Sequence, residues 1–323
     1  MQQWWVVPGP DGAEVELRDV EVPEPGLGQV LVRVAGAGVN RGELIAGRAL
    51  RTDNPKARPF PSGIELAGVI EATGDDVTGW APGDRVMARG TACHADLAVI
   101  DASALLPTPS GLSDGDAAAI PNVFVTAHDA LATAAGVTAD DTVLITAGAS
   151  GVGTAAIQIA RHLGATTLAT TRSAAKAGQL EQLGADAVID TSNDDWPGQL
   201  RADHGRVSCV IDQVGGRLFP GLIDSLGVLG RYVSVGRNDG PTSTIDLDLL
   251  ARNRLTLVGV TFRTRSPEEA LACSQRFADD LLPAFETGSL KPVMDRTFPL
   301  DDLPAAHSYM RTDAQVGKIV LVA

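Results

Sequence analysis

The stretch LITAGASGVGTAAIQIA, Leu144–Ala160, decides how this chain folds, because it has the pattern of a strand, a glycine-rich turn and a helix. The run Val143–Thr146 predicts a buried strand, and Val152–Leu163 predicts the helix that follows it. Glycines in the turn let the backbone bend sharply and approach a phosphate, which the free N–H groups of the helix N-terminus would bind. The spacing G-x-x-G-x-G alone is weak, but inside a strand–helix–strand unit it predicts a nucleotide site.

Beyond this turn, strand-like and helix-like segments alternate to about Arg263, which predicts a parallel sheet of about six strands with helices on both faces. The last strand, RLTLVGVTF (Arg254–Phe262), is expected at an exposed edge of the sheet, where strands invite pairing. Before the turn, from about Val15 to Ile120, short strands alternate with Pro- and Gly-rich turns. The predicted fold class is therefore α/β, a doubly wound parallel sheet plus a β-rich domain.

A long helix opens the tail beyond Arg263. Ser266 is its expected N-cap, Pro267 its first residue, and Glu269 has the spacing of a capping box. The tail is too small to fold alone, so we expect it to pack on the first segment. This predicts one domain from residues 1–120 and 264–323 and a second domain from residues 121–263.

Composition narrows the class of protein. The chain has 323 residues and a net charge of −14, so its overall field repels nucleic acids and anionic membranes. Its three cysteines are scattered, which argues against a disulfide framework or a zinc cluster. The first residues, MQQWWVVPGPDG, lack the pattern of a secretory signal, and no apolar run is long enough to span a membrane. We expect a cytoplasmic protein that binds a small molecule.

The end of the second strand after the glycine turn predicts which nucleotide is bound. An NAD site usually carries Asp or Glu there to bind the ribose 2′-hydroxyl. This chain instead reads TTRSAAK, with Arg172, Ser173 and Lys176 and no acid. Cations and a hydroxyl suit a 2′-phosphate, so we predict NADPH rather than NADH. The alternative is a solvated helix start in which Ser173 is only an N-cap.

The tyrosines exclude one class of hydride-transfer enzyme. Short-chain dehydrogenases need a catalytic Tyr followed four residues later by Lys. The two tyrosines here are Tyr232 and Tyr309, and the fourth residues after them are Gly236 and Asp313.

Several stretches together resemble the medium-chain dehydrogenase/reductase superfamily along nearly the whole chain. They are GAGVNRGEL, GIELAGVIEATG, GDRV, AAAIPNVFVTAHDAL, LITAGASGVGTAAIQIA, CVIDQVGG, GRYVSVG and AHSYMRTDAQVGKIVL. Within the superfamily the chain is most similar to the zinc-free quinone oxidoreductases, the zeta-crystallin group, and FRTRSPEEA resembles the tumour-suppressor-inducible quinone reductase branch. The resemblance implies a Rossmann domain, a GroES-like catalytic domain and a homodimer joined at the edge strand.

The residues at two family positions argue against a catalytic zinc. The zinc members carry Cys where this chain has Asn40, and His where it has Ile64, just before Glu65. A catalytic zinc needs about three protein ligands, so we expect no metal. The neighbours Cys93 and His94 do not by themselves make a site.

Without a metal, the feasible chemistry is hydride delivery to a carbon that is already electrophilic. The family default is NADPH-dependent reduction of a quinone. Two alternatives remain open, an enoyl or enone reductase and a non-catalytic NADPH-binding protein.

The resemblance also implies which residues contact the cofactor. The pyrophosphate would be held by Gly148, Ala149, Gly151, Val152 and Gly153. The 2′-phosphate end would be contacted by Arg172, Ser173 and Lys176, with Thr191 where relatives often have Tyr. The nicotinamide side would be lined by Asn40, Thr126, Gly236, Thr261, Phe262 and Lys318.

Roles on the nicotinamide side are less defined. Asn40 would orient the carboxamide or the substrate carbonyl, or else serve only as a turn residue that satisfies backbone groups. Glu43 is either a pocket carboxylate or a solvated one. The other histidines, His307 among them, are interpreted as structural or surface residues. No catalytic acid is assigned, and solvent is an adequate proton source.

Overall fold

Residues 1–46 and 50–323 are described by a computed structural model. Their strands, in chain order, are β1 (Gln2–Pro8), β2 (Ala13–Asp19), β3 (Gln29–Val39), β4 (Phe60–Pro61), β5 (Glu65–Thr73), β6 (Arg85–Arg89), β7 (Leu97–Asp101), β8 (Leu105–Pro107), β9 (Thr142–Ile145), β10 (Thr166–Thr171), β11 (Ala187–Asp190), β12 (Val207–Asp212), β13 (Leu226–Ser234), β14 (Thr256–Gly259), β15 (Met294–Pro299) and β16 (Lys318–Val322).

Their helices are α1 (Arg41–Ala46), α2 (Asp114–Ala117), α3 (Pro121–His128), α4 (Gly151–His162), α5 (Ala177–Gln182), α6 (Trp196–His204), α7 (Phe219–Ser225), α8 (Leu247–Arg252), α9 (Pro267–Glu286) and α10 (Leu303–Arg311). A π-helical segment, Asp129–Ala135, continues α3. No helix in the described parts of the chain is both long enough and apolar enough to cross a membrane.

The backbone divides into two units. Unit 1 contains Met1–Asn122 and Ser274–Ala323, and unit 2 contains Val123–Cys273. The roles assigned to the segments 1–120, 121–263 and 264–323 stay predictions.

A mostly antiparallel sheet forms the centre of unit 1. Its strands run in the order β15-β16-β3-β5-β6-β8, and β7 also pairs with β3. The long strand β3 pairs with β5, β7 and β16. Its alternating apolar residues are buried, Val30, Val32 and Val34 among them. A second, three-stranded sheet has the order β2-β1-β4. The last strand, β16, pairs with β3, so the sheet joins strands from both ends of unit 1 in the sequence.

Six parallel strands form the sheet of unit 2, in the order β11-β10-β9-β12-β13-β14. This confirms the predicted doubly wound α/β fold. The central strand β9 is fully buried at Val143, Leu144 and Ile145, as its apolar run predicts. The strand order reverses between β9 and β12, and ligands of such sheets bind at this point, beyond the carboxyl ends of the strands.

Two features predicted from local sequence, the capping box of α9 and the edge strand β14, are found in the structure. The capping box is confirmed at α9, where Glu269 N donates to Ser266 Oγ at 3.2 Å and Ser266 N donates to Glu269 Oε2 at 2.9 Å. The edge strand β14 has the predicted position but is shorter than Arg254–Phe262. Arg254 has a φ of 49°, in the left-handed region, which interrupts extended backbone just before the strand.

Candidate functional site

The glycine-rich turn of unit 2 leads from β9 into α4. Ser150 caps the helix, its Oγ accepting from Gly153 N at 3.0 Å, and Gly148 N donates to Thr170 O at 2.8 Å. A Cβ on Gly153 would lie 2.3 Å from Ala147 O, so only glycine allows the helix to approach the turn this closely. The N-terminus of α4 is therefore held against the turn with its first N–H groups outside the helical hydrogen-bond pattern.

A network of polar side chains connects this turn to the end of β12. Ser150 Oγ donates to Gln213 Oε1 at 2.8 Å, and Gln213 Nε2 donates to Thr146 O at 2.9 Å. Thr146 Oγ1 in turn donates to Asp212 Oδ1 at 2.7 Å. Sequence reasoning missed Asp212 and Gln213, although their place directly after an apolar strand, in CVIDQVGG, was a signal.

Asp212 organises the turn after β12. Its fully buried carboxylate also accepts from Val214 N at 2.9 Å, from Gly215 N at 3.0 Å and from the Tyr232 hydroxyl. Burial and the Asp212 carboxylate raise the pKa of Tyr232 far above its usual range. Tyr232 therefore stays protonated and acts as a fixed donor.

The predicted 2′-phosphate residues follow β10. Arg172 is exposed, and Ser173 and Lys176 are half-buried. Ser173 begins a short 3₁₀ turn, but its side chain makes no capping hydrogen bond, so the alternative of a simple N-cap has no support in the geometry. Thr191 is buried, and its hydroxyl donates to Thr171 O at 3.4 Å.

An acid that the sequence reasoning did not consider lies at the end of the neighbouring strand. Asp190 pairs in register with Thr171, the last residue of β10. Hydrogen bonds from Ser192 lower the pKa of Asp190, so its carboxylate is ionised at neutral pH.

The remaining predicted residues of unit 2 lie at the ends of β13 and β14 and within α3. Gly236 N donates to Asp212 O at 3.0 Å, and a Cβ on Gly236 would lie 2.4 Å from Gln213 O. Thr261 and Phe262 follow β14, where the Arg265 guanidinium stacks 4.7 Å from the centre of the Phe262 ring. Thr126 is half-buried near the middle of α3.

Unit 1 contains a buried group of charged and amide side chains, which we call the Lys318 cluster: Asn40, Glu65, Asn122 and Lys318. The Lys318 ammonium donates to Asn40 Oδ1 at 2.9 Å and to Val39 O at 2.8 Å, and it forms an ion pair with Glu65 Oε1 at 2.6 Å. The ammonium is thus held by three oxygen atoms of unit 1. A direct contact between Lys318 and the cofactor, as predicted, would compete with these contacts.

Asn40 stands at the centre of the Lys318 cluster. Its Oδ1 accepts from Lys318 and from Asn122 Nδ2, the latter at 2.8 Å. Its Nδ2 faces three acceptors, Glu65 Oε1 at 2.8 Å and Gly38 O and Glu43 Oε1 at 3.2 Å each. The amide is thus oriented and satisfied within unit 1, and its contact with substrate or cofactor stays a prediction.

Two histidines border Glu43, and all three side chains are almost wholly buried. His94 Nε2 lies 3.2 Å from Gly38 O, and its Nδ1 lies 3.0 Å from Ser62 Oγ. Burial lowers the pKa of His94, so the ring is neutral, with Nε2 donating and Nδ1 accepting. Glu43 Oε2 lies 3.7 Å from His307 Nε2, and neither atom has a hydrogen-bond partner among the residues that the structure describes.

The net charge state of Glu43 follows from these neighbours. Burial raises the pKa of Glu43, but His94, His307 and Lys318 together lower it below its usual range. Glu43 is therefore a buried, ionised carboxylate rather than a solvated one, and its place in a substrate pocket stays a prediction. Sequence reasoning interpreted His307 as a structural or surface residue, and nothing in its local sequence indicates that it faces Glu43.

The described residues contain no group of three or more His, Cys, Asp or Glu side chains that could hold a metal ion. Cys93 and His94 are both buried core residues. At the two family positions of zinc ligands stand Asn40, which is bonded to a lysine, and Ile64.

Comparisons with known proteins agree with this architecture. Residues 26–110 match the family model of the alcohol dehydrogenase GroES-like domain, and residues 151–277 match that of the zinc-binding dehydrogenases. Mouse quinone oxidoreductase is 30% identical, over 97% of this chain and 95% of its own length. Acryloyl-coenzyme A reductase of Sulfurisphaera tokodaii is 28% identical, over 98% of each chain.

Other relatives are longer or have a structure. NorB, a spectinabilin polyketide synthase system protein of Streptomyces orinoci, is 35% identical over 99% of this chain, which spans only 14% of its length. The structure of a mycobacterial protein complexed with NADPH is 29% identical, covers 100% of both chains and has a TM-score of 0.85. The two-unit architecture, the two family models and the near full-length likeness to mouse quinone oxidoreductase together mean that this chain belongs to the medium-chain dehydrogenase/reductase superfamily.

Proposed function

We propose that this oxidoreductase is a zinc-independent, NADPH-dependent reductase that transfers a hydride to a quinone. The observation that carries the proposal is the Lys318 cluster. Where zinc members of the superfamily have a cysteine ligand, this chain has an amide already bonded to a buried ammonium. The positive charge of Lys318, next to Glu65 and Asn40, disfavours a zinc ion at this position.

The residues of unit 2 fit NADPH. A Cβ on Gly153 would collide with Ala147 O and one on Gly148 would be tightly packed at 3.0 Å from Ala169 Cβ, so these glycines let the backbone approach a pyrophosphate at the capped N-terminus of α4. Arg172, Ser173 and Lys176 would hold the 2′-phosphate. When bound, NADPH supplies the hydride. Asp212 and Gln213 fix the turn after β12. Gly236 N donates to Asp212 O, so the backbone of Gly236 is held against this turn, where it would face the nicotinamide.

The likeness to mouse quinone oxidoreductase over nearly the full length of both chains supports a quinone as the acceptor. An oxygen that gains charge during the reduction would be stabilised by a hydrogen-bond donor or by a proton. An enone accepts a hydride by the same chemistry, and the likeness to acryloyl-coenzyme A reductase favours this as the second candidate.

The test is a measurement of NADPH oxidation against a panel of quinones and enones, with NADH and with a metal chelator in parallel reactions. We expect turnover with quinones that resists the chelator and prefers NADPH. Turnover with enones alone would replace the first candidate by the second. Loss of activity in chelator would refute zinc independence, and tight NADPH binding without any turnover would indicate a binding protein.

We also infer that the protein is a homodimer joined through the edge of the unit 2 sheet. The strand β14 has no partner on one side within the described chain. Near this edge Leu257 is 41% exposed and Leu247, at the start of α8, is 68% exposed. Pairing of two β14 strands would cover the unpaired backbone groups and these apolar side chains.

A further inference from the structure

We propose that Glu43 and His307 form a proton-holding pair, in which His307 Nε2 stores the proton that accompanies hydride transfer and Glu43 passes it to the acceptor. This inference rests on the proposed function and adds to it the proton donor that the sequence does not reveal. It is carried by two buried polar atoms that face each other and have no hydrogen-bond partner in the described part of the chain.

The distance between these atoms defines what they can do. Glu43 Oε2 and His307 Nε2 are 3.7 Å apart, which is too long for a hydrogen bond. It is also shorter than the roughly 4.4 Å that a water would span with two hydrogen bonds of about 2.8 Å at a tetrahedral angle. One proton placed between them would convert two unsatisfied buried atoms into a charge-assisted hydrogen bond after a shift of less than about 1 Å. The pair is therefore built to take up a proton.

Two other described groups around Glu43 are already engaged. Lys318, on β16, donates to Val39 O and Asn40 Oδ1 and forms an ion pair with Glu65. His94, before β7, is held between Gly38 O and Ser62 Oγ, so protonating its Nδ1 would break the bond that Ser62 donates. His307, on α10, gains a hydrogen bond on protonation, whereas these neighbours would lose one.

Glu43 is placed to continue the transfer. Its other oxygen, Oε1, accepts from Asn40 Nδ2 at 3.2 Å, so the carboxylate borders the residue that the family resemblance assigns to the nicotinamide side. His94, His307 and Lys318 hold the pKa of Glu43 below its usual range. A carboxyl group of this kind releases a proton readily, so the ring of His307 is the better place to store it.

The proton balance of the reaction is then closed. Reduction of a quinone or enone takes up one hydride, supplied by NADPH, and one proton. The N–H bond at His307 Nε2 breaks as an O–H bond forms at Glu43 Oε2. The carboxyl proton then passes to the acceptor oxygen, which forms its own O–H bond. A proton from solvent restores the imidazolium.

The first test does not depend on turnover. A double-mutant cycle with E43Q, H307Q and the double variant measures the coupling in the free energy of unfolding. We expect the coupling to grow as the pH is lowered, because the proton that the pair takes up forms the hydrogen bond between the two side chains. The charges of Lys318, Glu65 and the neutral His94 are the same in all four proteins. A coupling that is absent or independent of pH would overturn the proposal.

The second test is kinetic, with H204Q, an exposed position on α6, as the matched control. We expect H307Q and E43Q each to lower kcat about 100-fold with an unchanged Kd for NADPH, and H204Q to match the wild type. In the wild type, kcat should fall as the pH rises, and this dependence should vanish in H307Q. If both variants keep the wild-type kcat and its pH dependence, the pair does not deliver the proton, and the proposed reductase function is unaffected. A wild-type protein without turnover would refute the proposed function and the delivery step with it.

Discussion

The ammonium group of Lys318 lies 2.6 Å from Glu65 Oε1 inside unit 1, and the two side chains are only 4% and 0% exposed. A buried ion pair of this kind is weak evidence for stability, because removing two charges from water costs nearly as much as their attraction returns. Removing only one partner is strongly destabilising, since the remaining charge is left buried without its counter-ion. The pair therefore fixes Asn40 in one orientation more than it strengthens the fold.

Lys318→Met should lower the free energy of unfolding by about 3–5 kcal/mol, because Glu65 is left as an unpaired buried carboxylate. Arg33→Met is the matched control, since Arg33 and Glu71 are also 2.6 Å apart but are 62% and 42% exposed. That variant should lose less than about 1 kcal/mol. Urea unfolding measures both. Adding Glu65→Gln to Lys318→Met should recover part of the lost free energy of unfolding. Equal losses in Lys318→Met and Arg33→Met would contradict the argument.

Gly153→Ala should destabilise the protein by about 1–3 kcal/mol and weaken NADPH binding at least tenfold, because the new Cβ would lie 2.3 Å from Ala147 O and displace the turn. Gly178→Ala, in α5, is the control, since no atom lies within 4 Å of its added Cβ. That change should be neutral or stabilise the helix by up to about 1 kcal/mol. Calorimetric titration and thermal unfolding would measure the two effects, and unimpaired NADPH binding by Gly153→Ala would exclude the turn as the phosphate site.

Asp190→Asn should raise the affinity for NADPH a few-fold and leave that for NADH nearly unchanged, because it removes an ionised carboxylate beside the end of β10. Arg172→Gln should have the opposite effect and lower NADPH affinity about tenfold. Both effects should shrink as salt is added. The control for net charge is Asp203→Asn on the exposed side of α6. If it changes the NADPH preference as much as Asp190→Asn does, the effect is nonspecific.

Cys93 and Cys209 should not react with a thiol reagent in the native protein at about pH 8, the value near which a free thiol ionises. Both side chains are fully buried, and burial raises the pKa of Cys209 to about 12 and that of Cys93 higher still. Only the thiolate is reactive. All three cysteines should react once the protein is unfolded in guanidinium. Rapid labelling of Cys209 in the native state would mean that β12 opens far more readily than its central place in the sheet suggests.

Leu257→Lys should convert the proposed dimer into a monomer, since it places a charge in the middle of the exposed edge strand β14. Leu27→Lys is the control, because Leu27 is 73% exposed in unit 1, outside the proposed interface. Light scattering of the three proteins decides the matter. A wild-type monomer, or a Leu257→Lys dimer, would remove the proposed interface.

The sequence reveals the features that depend on local periodicity. The strand predicted at Val143–Thr146 is observed at Thr142–Ile145, and the helix predicted at Val152–Leu163 is observed at Gly151–His162. The capping box at Ser266 is also a matter of spacing within one turn. Such elements are predictable because the residues that determine them are neighbours in the chain. The left-handed Arg254, which shortens β14, has no such signal.

The candidate site in unit 1 depends instead on pairings between distant strands. Lys318 meets Asn40 because β16 pairs with β3 in the register that sets Ile319 opposite Val39. A shift of one residue would turn Lys318 to the other face of the sheet. In the same way, His307 reaches Glu43 from a separate helix. Neither contact follows from composition, spacing or charge. Asn40 and Lys318 were therefore predicted as site residues without their mutual contact, and the Glu43–His307 pair was not predicted.

The closure of the unit 1 sheet by β16 also bears on the order in which the protein acquires its structure during synthesis. Lys318 and Asn40 are 278 residues apart, whereas unit 2 is one continuous segment. Domains fold as units while the chain emerges from the ribosome. Unit 2 is therefore expected to fold while the first part of unit 1 still lacks a strand, and Glu65 stays hydrated until translation reaches its lysine. A ribosome stalled before residue 318 should carry a folded nucleotide-binding segment and an unfinished partner.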